Sequence, residues 1–343
     1  MSYDVQNDGR LDPRLKAVLA MFDTPALGDV ASRGELLAEA TAPATIERIE
    51  AANAAMAMLD SEDVAPSLGL SFQDIEVTSA PDGNAISLRL IRPDGDEVLP
   101  CVYYIHGGGM VSGSIDDAIY RAWGRVIAAK GVGVVMVEFR NAVYANSLDE
   151  VAPFPAGLND CLSGLRWISA NAATYHLDPR RIVVAGESGG GNLTLATALS
   201  LKRSNELGII KGLYALCPYL AGAYPDERYE STTQNNGILI ETHNNRGKVG
   251  YGIEAYEEKN PLAWPDFATT GDVIGFPPTV ISVNECDPLR DEGIAFYRLL
   301  LQSGVAARGR MLLGTFHGAD IATLLCPEIS HETARDIATF ATI

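Results

Sequence analysis

Short apolar runs rich in Val, Ile and Tyr alternate with helical patterns over most of the chain. The runs cover residues 101–105, 132–138, 182–185, 212–216, 279–283 and 310–313. A strand that is apolar on both faces has to be covered on both faces, and the helices that connect such strands make them parallel. The alternation therefore predicts an α/β fold, with a mostly parallel sheet and helices on both of its faces.

Two other patterns precede these runs. Residues 11–22 and 46–59 carry Ala, Leu and Met at helical spacing, and prolines and glycines lie between the two segments. From residue 75 the period changes to two, and residues 75–79 and 86–91 flank the turn sequence Pro-Asp-Gly-Asn at 81–84. Strand patterns on both sides of such a turn are typical of a β-hairpin. We therefore expect a helical N-terminal layer followed by a hairpin.

Residues 218–270 have only weak periodicity and interrupt the alternation. We therefore expect an N-terminal helical cap segment at 1–70, a first core part at 71–217, a cap insertion at 218–270 and a second core part at 271–343. Six tyrosines lie in or beside the insertion. They fit either the wall of an apolar ligand pocket or ordinary core packing: Tyr214, Tyr219, Tyr224, Tyr229, Tyr251 and Tyr256.

The chain carries an excess of acidic residues. Of its 343 residues, 44 are Asp or Glu and 26 are Lys or Arg, which gives a formal net charge of −18. Such a charge repels nucleic-acid phosphates and anionic membranes, so we expect a small-molecule substrate, no nucleic acid and no membrane partner. The uncharged stretch 98–115 contains a proline and four glycines and is a poor spanning helix. The first residues lack the pattern of a secretory signal, which predicts a cytoplasmic location.

The five cysteines show no metal or disulfide spacing. Their number is odd and no Cys-x-x-Cys pair occurs, so we expect buried reduced thiols and no zinc site. The glycines at 186–191 do not match the dinucleotide pattern. Gly304 and Gly309 are followed by Arg310 and Met311, where a phosphate-binding loop needs Lys and Ser or Thr. We therefore predict no cofactor and no metal.

A Gly-Glu-Ser-Gly-Gly sequence at 186–190 lies between the apolar run 182–185 and the helical pattern 192–202. A sharp strand-to-helix turn needs small residues beside the serine, and it exposes the hydroxyl above the helix N-terminus. A glycine-rich connection or a phosphate-binding loop would be the alternative. The position between strand and helix favours Ser188 as a nucleophile.

A serine hydroxyl needs a base to take its proton. Of the five histidines, only His317 and His331 follow the strand that is expected to carry the acid. His331 lies in a Ser-His-Glu-Thr sequence typical of a capped helix start, whereas His317 lies in a loop after a strand, where site residues usually project. His176 fits a helix end and His243 a surface position in the insertion. His317 is therefore the predicted base, and activity should fall as pH drops through its pKa, about 6–7.

The orienting carboxylate should stand at the carboxyl end of a strand between the serine and the histidine. The run 279–284 leads into Glu285-Cys286-Asp287, and Asp287 is the predicted acid. Glu285 fits either an orientation toward the sheet or a contact with a neighbouring backbone amide, and Asp291 fits the start of the next helix, where negative charge is stabilising. Cys286 is interpreted as a buried thiol.

An oxyanion needs backbone N–H donors close to the nucleophile. The sequence His-Gly-Gly-Gly at 106–109 follows the run 101–105, and glycines allow backbone amides to approach a substrate carbonyl closely. The predicted donors are Gly107, Gly108 and Gly189. Losing one such donor commonly costs about 3 kcal/mol of activation free energy.

The combined motifs resemble the hormone-sensitive-lipase branch of the α/β-hydrolases, the bacterial family IV esterases. They are His-Gly-Gly-Gly at 106–109, Gly-Glu-Ser-Gly-Gly at 186–190, Asp-Pro-Leu-Arg-Asp-Glu-Gly at 287–293 and His-Gly at 317–318. The similarity spans residues 75–343 and implies an eight-stranded, mostly parallel sheet, a helical cap and a Ser188/Asp287/His317 triad. It also implies a homodimer as the candidate assembly. The chain differs from the usual family pattern in carrying Glu187 where Asp or Thr is usual, and Glu-Phe-Arg-Asn-Ala at 138–142 where Asp-Tyr-Arg-Leu-Ala is usual.

These residues predict a serine carboxylic-ester hydrolase that acts through an acyl-enzyme intermediate. The expected substrates are small to medium esters of short-chain, aromatic or lactone type. An amidase, lactonase or acyltransferase with the same triad is an alternative. A non-catalytic small-ligand receptor, a different class that the fold also supports, is disfavoured because all three triad residues are present.

Overall fold

The computed structural model describes residues 5–19 and 27–342. Eight strands in this part form one sheet. They are β1 (Leu70–Thr78), β2 (Ala85–Pro93), β3 (Leu99–Ile105), β4 (Gly133–Glu138), β5 (Leu177–Glu187), β6 (Gly212–Leu216), β7 (Thr279–Asn284) and β8 (Ala307–Leu312). Four of the six apolar runs lie entirely in one of them, and the runs 132–138 and 310–313 each extend one residue beyond β4 and β8. β6 has the predicted bounds.

Twelve α-helices occur in the described residues. They are α1 (Pro13–Leu19), α2 (Arg33–Ala40), α3 (Pro43–Met56), α4 (Ala118–Ala128), α5 (Ala156–Asn171), α6 (Gly189–Arg203), α7 (Ser231–Gln234), α8 (Arg246–Tyr251), α9 (Ile253–Glu257), α10 (Thr270–Val273), α11 (Arg290–Gln302) and α12 (Pro327–Thr342). Of the helical segment predicted at 11–22, residues 20–22 lie outside the described part. No described helix is both long enough and apolar enough to cross a membrane.

The sheet order is β1-β2-β4-β3-β5-β6-β7-β8. β1 and β2 form the predicted antiparallel hairpin, and the Ser79 N–H donates to the Asn84 carbonyl at 2.8 Å across its turn. β2 is also antiparallel to β4, whereas the strands from β4 to β8 are mutually parallel. The predicted mostly parallel sheet is confirmed, and the carboxyl ends of its central strands lie at one edge, where ligand sites form in such sheets.

Alternate residues of the central strands enter two different cores. In β3, Tyr103 and Ile105 pack in the cluster that contains residues of α5, α6 and α11, whereas Val102 and Tyr104 pack in the cluster that contains residues of α4 and α12. The period of two in a strand sends neighbouring side chains to opposite faces. Helices therefore cover both faces of the sheet, which is why central strands such as β3 and β6 are buried at every residue, whereas the outer strands β1 and β8 keep exposed polar residues.

A third, smaller cluster joins the first helix to the C-terminal part of the chain. Leu11 and Leu15 are buried with Phe316 and Cys326. The Asp12 N–H also donates to the Gly314 carbonyl at 2.9 Å. The N-terminal segment is thereby attached to the loop that follows β8.

Several predicted boundaries differ from those of the structure, and two of the differences have a clear physical reason. The helix near His331 begins at Pro327 rather than at Ser330, because proline lacks an N–H and is well tolerated in the first turn, where that N–H would have no partner. β5 begins at Leu177, five residues before the apolar run, because Leu177 pairs with Leu99 ahead of an irregularity in the β3 register. The polar residues between these two parts of β5 conceal the strand in the sequence.

Candidate active site

Ser188 lies in the turn between β5 and α6, with φ 56° and ψ −119°. These angles are unfavourable for a residue with a side chain, so the surrounding structure has to hold them. The Ser188 N–H donates to the Leu216 carbonyl at 2.9 Å, and the Ser188 carbonyl accepts from the N–H groups of Asn192 and Tyr219 at 3.0 Å each. Three backbone hydrogen bonds therefore fix the serine at the N-terminus of α6.

The glycines after the serine allow close contact with the end of β3. A Cβ atom on Gly190 would lie 2.0 Å from the Ile105 carbonyl oxygen. A Cβ atom on Gly189 would lie 2.7 Å from the Gly109 nitrogen. Only glycine at these two positions lets the first turn of α6 pack against β3 and the glycine loop that follows it.

Ser188, His317 and Asp287 form a continuous hydrogen-bonded series. The Nε2 atom of His317 is 2.8 Å from the Ser188 Oγ, and its Nδ1 atom is 2.8 Å from the Asp287 Oδ2. Asp287 is fully buried, and His317 is 8% exposed. The three residues predicted as nucleophile, base and acid are thus brought together in the order that general-base activation of a serine requires.

The loop that carries Asp287 is fixed by backbone and side-chain contacts. Asp287 Oδ1 accepts from the Leu289 N–H at 2.8 Å. The side-chain amide of Asn235 donates to the backbone carbonyls of Asp287 at 3.0 Å and Glu285 at 3.2 Å, and its Oδ1 accepts from the Arg10 guanidinium at 2.9 Å. Asn235 belongs to no recognisable motif, and no signal in the sequence indicates this role.

The two other acidic residues near Asp287 have partners elsewhere. Glu285 Oε2 accepts from the Gly314 N–H at 2.8 Å, which is the backbone contact expected for it. Asp291 lies in the first turn of α11 and accepts from the Ser231 N–H at 2.8 Å. The Cys286 N–H donates to the Thr315 carbonyl at 2.9 Å, so the acid loop and the histidine loop are joined directly.

His317 lies in a strongly charge-stabilised environment. Burial disfavours its imidazolium form, but the adjacent Asp287 carboxylate outweighs burial and raises the pKa of His317 well above its ordinary value of 6.5. The pKa expected from the sequence, about 6–7, is therefore too low. A buried carboxylate at hydrogen-bond distance favours the charged imidazole.

The fully buried Cys217 thiol lies beside His317. Burial raises the pKa of Cys217 to about 11, so the thiol is protonated near neutral pH.

The side chains of Cys217, Asp287 and His317 have the spacing of metal ligands, since one ligand atom from each lies within 4.8 Å of the other two. Among the described residues, this is the one group of His, Cys, Asp or Glu that could hold a metal ion. The same imidazole and carboxylate make the Ser188–His317–Asp287 hydrogen bonds, so a metal ion there would replace these bonds. All five cysteines are buried and free, as the sequence predicts.

One of the three predicted oxyanion donors already has a partner within the protein. The Gly107 N–H donates to the Tyr120 hydroxyl at 2.9 Å and is therefore engaged within the protein. Gly108 and Gly109, with φ 96° and 63°, line the cavity above Ser188. The Tyr120 side chain of α4 therefore already accepts from the N–H of the first glycine of the motif.

Glu187, next to the nucleophile, is buried among tyrosines. Its Oε1 accepts from the Tyr120 hydroxyl at 2.5 Å and its Oε2 accepts from the Tyr104 hydroxyl at 2.6 Å. Burial raises the pKa of Glu187 to about 7, although both hydroxyls act in the opposite direction. The sequence marks Glu187 only as a departure from a family pattern, because its partners come from β3 and α4.

A cavity of about 850 Å³ opens above Ser188 and His317. Apolar side chains from the N-terminal segment and from residues 218–270 line much of it. They include Val18, Ala55, Met56, Met58, Leu239 and Ile240. Of the six tyrosines singled out in the sequence, Tyr219 and Tyr224 line the cavity. The other four pack elsewhere: Tyr214 against Phe340, Tyr251 and Tyr256 against Trp264, and Tyr229 beneath Arg228.

The remaining histidines have local partners. His331 Nδ1 lies 2.9 Å from the Lys130 ammonium, and the exposed His243 places Nε2 2.7 Å from the Thr232 carbonyl. His176 ends a 3₁₀ turn with φ 53°. His106 is fully buried and stacks on Phe139, and burial lowers its pKa to about 4.

The chain is similar to esterases of known structure and sequence. A family model described as alpha/beta hydrolase fold matches residues 102–321. The solved structure of esterase Est22 is 53% identical, covers 99% of both chains and superposes with a TM-score of 0.96. Brefeldin A esterase, described as a bacterial homologue of human hormone-sensitive lipase, is 35% identical over 98% of this chain and 94% of its own, with a TM-score of 0.85. Carboxylesterase NlhH of Mycobacterium tuberculosis is 29% identical over 87% of this chain and 91% of its own.

Proposed function

This chain is a carboxylesterase of the hormone-sensitive-lipase-like branch of the α/β-hydrolase family, and we propose that it hydrolyses small to medium apolar esters through an acyl-enzyme on Ser188. One observation carries the proposal. The Ser188 hydroxyl, at the floor of an apolar cavity, is hydrogen-bonded to an imidazole whose other nitrogen is bonded to a buried carboxylate.

In the first half-reaction, the Ser188 Oγ attacks the acyl carbon while His317 Nε2 takes the hydroxyl proton. Asp287 stabilises the imidazolium that forms and keeps the ring oriented, and it stays ionised. As the tetrahedral intermediate collapses, His317 gives the proton to the leaving alkoxide, and the alcohol departs. The acyl group is then esterified to Ser188.

In the second half-reaction, water takes the place of the alcohol. His317 removes a proton from the water as it attacks the acyl carbon, and it returns the proton to Ser188 Oγ when the carboxylic acid leaves. In both half-reactions the carbonyl oxygen becomes negatively charged, and the N–H groups of Gly108, Gly109 and Gly189 stabilise this charge. The α6 N-terminus adds a favourable dipole at the same point.

The cavity supports the proposed class of substrate. Its apolar lining favours alkyl, aryl or lactone-type groups over charged ones. A structure of esterase Est22, which is 53% identical, contains p-nitrophenol, the leaving group of p-nitrophenyl esters. We infer that the segments 1–70 and 218–270 act together as the cap of this cavity, since side chains of both contribute to its wall.

A chain-length series tests the proposal. Wild-type protein is assayed with p-nitrophenyl esters from acetate to palmitate, beside Ser188→Ala and His317→Ala. We expect turnover that falls for the longest chains and a loss of roughly 10⁴-fold or more in both variants. His243→Ala is the matched histidine control, because His243 is exposed and bonded to the Thr232 carbonyl, and it should keep wild-type turnover.

Trapping the intermediate tests the covalent step. A fluorophosphonate should add its mass to Ser188 in the wild type and in His243→Ala, and should leave Ser188→Ala unlabelled. Ester turnover that persists in Ser188→Ala would contradict the acyl-enzyme. A folded wild type that cleaves anilides or lactones, or that transfers acyl groups to added alcohols in preference to water, would instead favour the corresponding alternative activity.

A further inference from the structure

The residue before the nucleophile is connected to the glycine loop through one tyrosine. Glu187 Oε1 accepts from the Tyr120 hydroxyl at 2.5 Å, and the Tyr120 oxygen accepts from the Gly107 N–H at 2.9 Å. The two contacts run from the nucleophile turn to the first glycine of the loop. Neither Glu187 nor Tyr120 takes part in the two hydrogen bonds that join Ser188, His317 and Asp287.

The direction of these hydrogen bonds is set by the carboxylate. Above its pKa of about 7 the Glu187 carboxyl is ionised and only accepts, so the Tyr120 hydroxyl proton points to Glu187, and the lone pairs of the Tyr120 oxygen remain for the Gly107 N–H. Such charge-assisted hydrogen bonds are short and strong. Glu187 is only 3% exposed, so nearly all of its surface contacts protein atoms.

Glu187 also contacts the glycine itself. A Cβ atom on Gly107 would lie 2.2 Å from Glu187 Oε1, so the carboxylate packs directly against the Gly107 Cα. The Gly107 carbonyl lies 2.9 Å from His106 Nδ1. The nitrogen, Cα and carbonyl of Gly107 are therefore all fixed. Since a trans peptide is planar, fixing the Gly107 carbonyl also sets the direction of the Gly108 N–H.

We propose that Glu187 and Tyr120 are positioning residues that hold the Gly107 backbone so that the Gly108 and Gly109 N–H groups point at the oxyanion. This inference rests on the proposed esterase mechanism. Neither side chain contacts the reacting atoms in it. Their contribution appears in the transition state, where the negative charge develops, because preorganised donors stabilise that charge more than the ground-state carbonyl.

Tyr104 provides a matched control on the same carboxylate. Its hydroxyl donates to Glu187 Oε2 at 2.6 Å, whereas that of Tyr120 donates to Oε1. Both rings are buried in the same core cluster. Removing either hydroxyl takes one hydrogen bond from Glu187, but only Tyr120→Phe leaves the Gly107 N–H without its acceptor.

The test compares Tyr120→Phe with Tyr104→Phe in the full chain, using steady-state kinetics with p-nitrophenyl butyrate. We expect Tyr120→Phe to lower kcat by about tenfold to a hundredfold with KM nearly unchanged, the signature of an interaction lost in the transition state. Binding of an alkyl boronic acid, which forms a tetrahedral anion on the serine, should weaken by the same factor. Tyr104→Phe should lower the melting temperature but keep kcat and boronate affinity.

Glu187→Gln is the second variant, and it tests the carboxylate if Tyr120→Phe does not fold. An amide keeps the size of the side chain but presents a donor as well as an acceptor, so it should also lower kcat at constant KM. Glu187→Asp, which restores the charge, should recover part of that loss. Equal effects of Tyr120→Phe and Tyr104→Phe, or a wild-type kcat in both Tyr120→Phe and Glu187→Gln, would overturn the inference. An inactive wild type would instead overturn the esterase mechanism itself.

Discussion

The Nδ1 atom of His317 lies 2.8 Å from the Oδ2 of Asp287, whose side chain is fully buried. The carboxylate therefore acts on the imidazole at short range and stabilises its protonated form. The effect has two sides for the proposed reaction. The imidazolium that forms during attack is stabilised, but the free enzyme also keeps a proton on His317 to a higher pH than an isolated histidine would.

The first prediction concerns the pH dependence of activity. The neutral imidazole is the active form, so kcat/KM is lost as pH falls through the pKa of His317, which lies well above 6.5. We expect the acidic limb of a kcat/KM profile, measured from about pH 5 to about pH 10, to have its midpoint above 6.5. Asp287→Asn should lower kcat about 10⁴-fold, since the ring loses its orienting partner.

Asp291→Asn is the control for this prediction. Asp291 is also an acidic residue of the same loop region, but it accepts from the Ser231 N–H rather than from His317. Its substitution should leave the position of the acidic limb unchanged. A wild-type midpoint at or below 6.5 would show that Asp287 does not stabilise the imidazolium in solution.

The second prediction concerns stability and pH at Glu138. Burial raises the pKa of this carboxyl from 4.5 to about 7, and its Oε1 has no hydrogen-bond partner. Because the folded protein binds this proton more tightly than the unfolded chain, Glu138 costs nothing below pH 4.5 and destabilises the fold increasingly up to pH 7. Glu138→Gln should therefore match the wild type at pH 4.5 and exceed it by about 2–3 kcal/mol at pH 8.

Thermal or chemical unfolding of both proteins at the two pH values measures this difference. The exposed Glu257→Gln variant controls for the loss of one negative charge from an acidic protein. The same difference in the free energy of unfolding between Glu138→Gln and wild type at both pH values would show that the pKa of Glu138 is not raised in the folded protein.

The third prediction concerns the buried ion pair behind the β1–β2 hairpin. Asp160 has no exposed surface and accepts from the Arg140 backbone N–H and guanidinium as well as from the Ser79 hydroxyl. Arg140→Ala leaves this carboxylate buried without its cation, and we expect a loss of about 3–5 kcal/mol in the free energy of unfolding. Arg166→Ala breaks the partly exposed pair with Glu206 and should cost about 1 kcal/mol or less.

Urea unfolding followed by circular dichroism distinguishes the two cases. Replacing the anion as well, in Arg140→Ala/Asp160→Asn, should recover part of the lost stability, because the buried charge is then removed. Similar losses in the free energy of unfolding for Arg140→Ala and Arg166→Ala would show that the burial of Asp160 does not increase the contribution of the Arg140–Asp160 pair to stability.

The fourth prediction concerns the glycine that follows the nucleophile turn. A Cβ at Gly190 would lie 2.0 Å from the Ile105 carbonyl and 2.6 Å from the His106 carbonyl, and neither backbone group can rotate away. Gly190→Ala should therefore cost more than about 4 kcal/mol, or prevent folding. Gly208→Ala, where no atom lies within 4 Å of the added carbon, should stay within about 0.5 kcal/mol of wild type.

Melting temperatures of the two alanine variants give the comparison directly. A soluble Gly190→Ala protein with a melting temperature close to that of Gly208→Ala would contradict the contact between the α6 N-terminus and the end of β3.

Local sequence patterns predicted most of the strands and the three candidate triad residues. The strands were predicted because runs of β-branched residues mark them. Ser188, Asp287 and His317 were predicted because chain order and the position after a strand restrict each choice to a few residues. The structure brings these three side chains within hydrogen-bond distance. Their roles in the reaction remain for the experiments above.

What the sequence missed depends on contacts between distant elements. Gly107 belongs to a clear motif, but its N–H is taken by Tyr120 of α4, and only the packing of α4 on the sheet reveals this. Asn235 donates to the backbone of the loop that carries Asp287 only because the short helix α7 lies next to that loop. Neither contact leaves a periodic or motif signal, because each consists of a single polar side chain.

The attachment of α1 to the histidine loop has a consequence for biosynthesis. Arg14 and Glu328, which form an ion pair, are 314 residues apart in sequence, and Leu15 packs against Phe316. The ribosome therefore releases the first helix long before it makes the partners that bury it. Because translation proceeds at roughly 5–20 residues per second, Leu11 and Leu15 stay without these partners for many seconds. The part of the cavity wall to which Val18 of α1 and Phe316 of the histidine loop contribute can form only after the residues between them have been made.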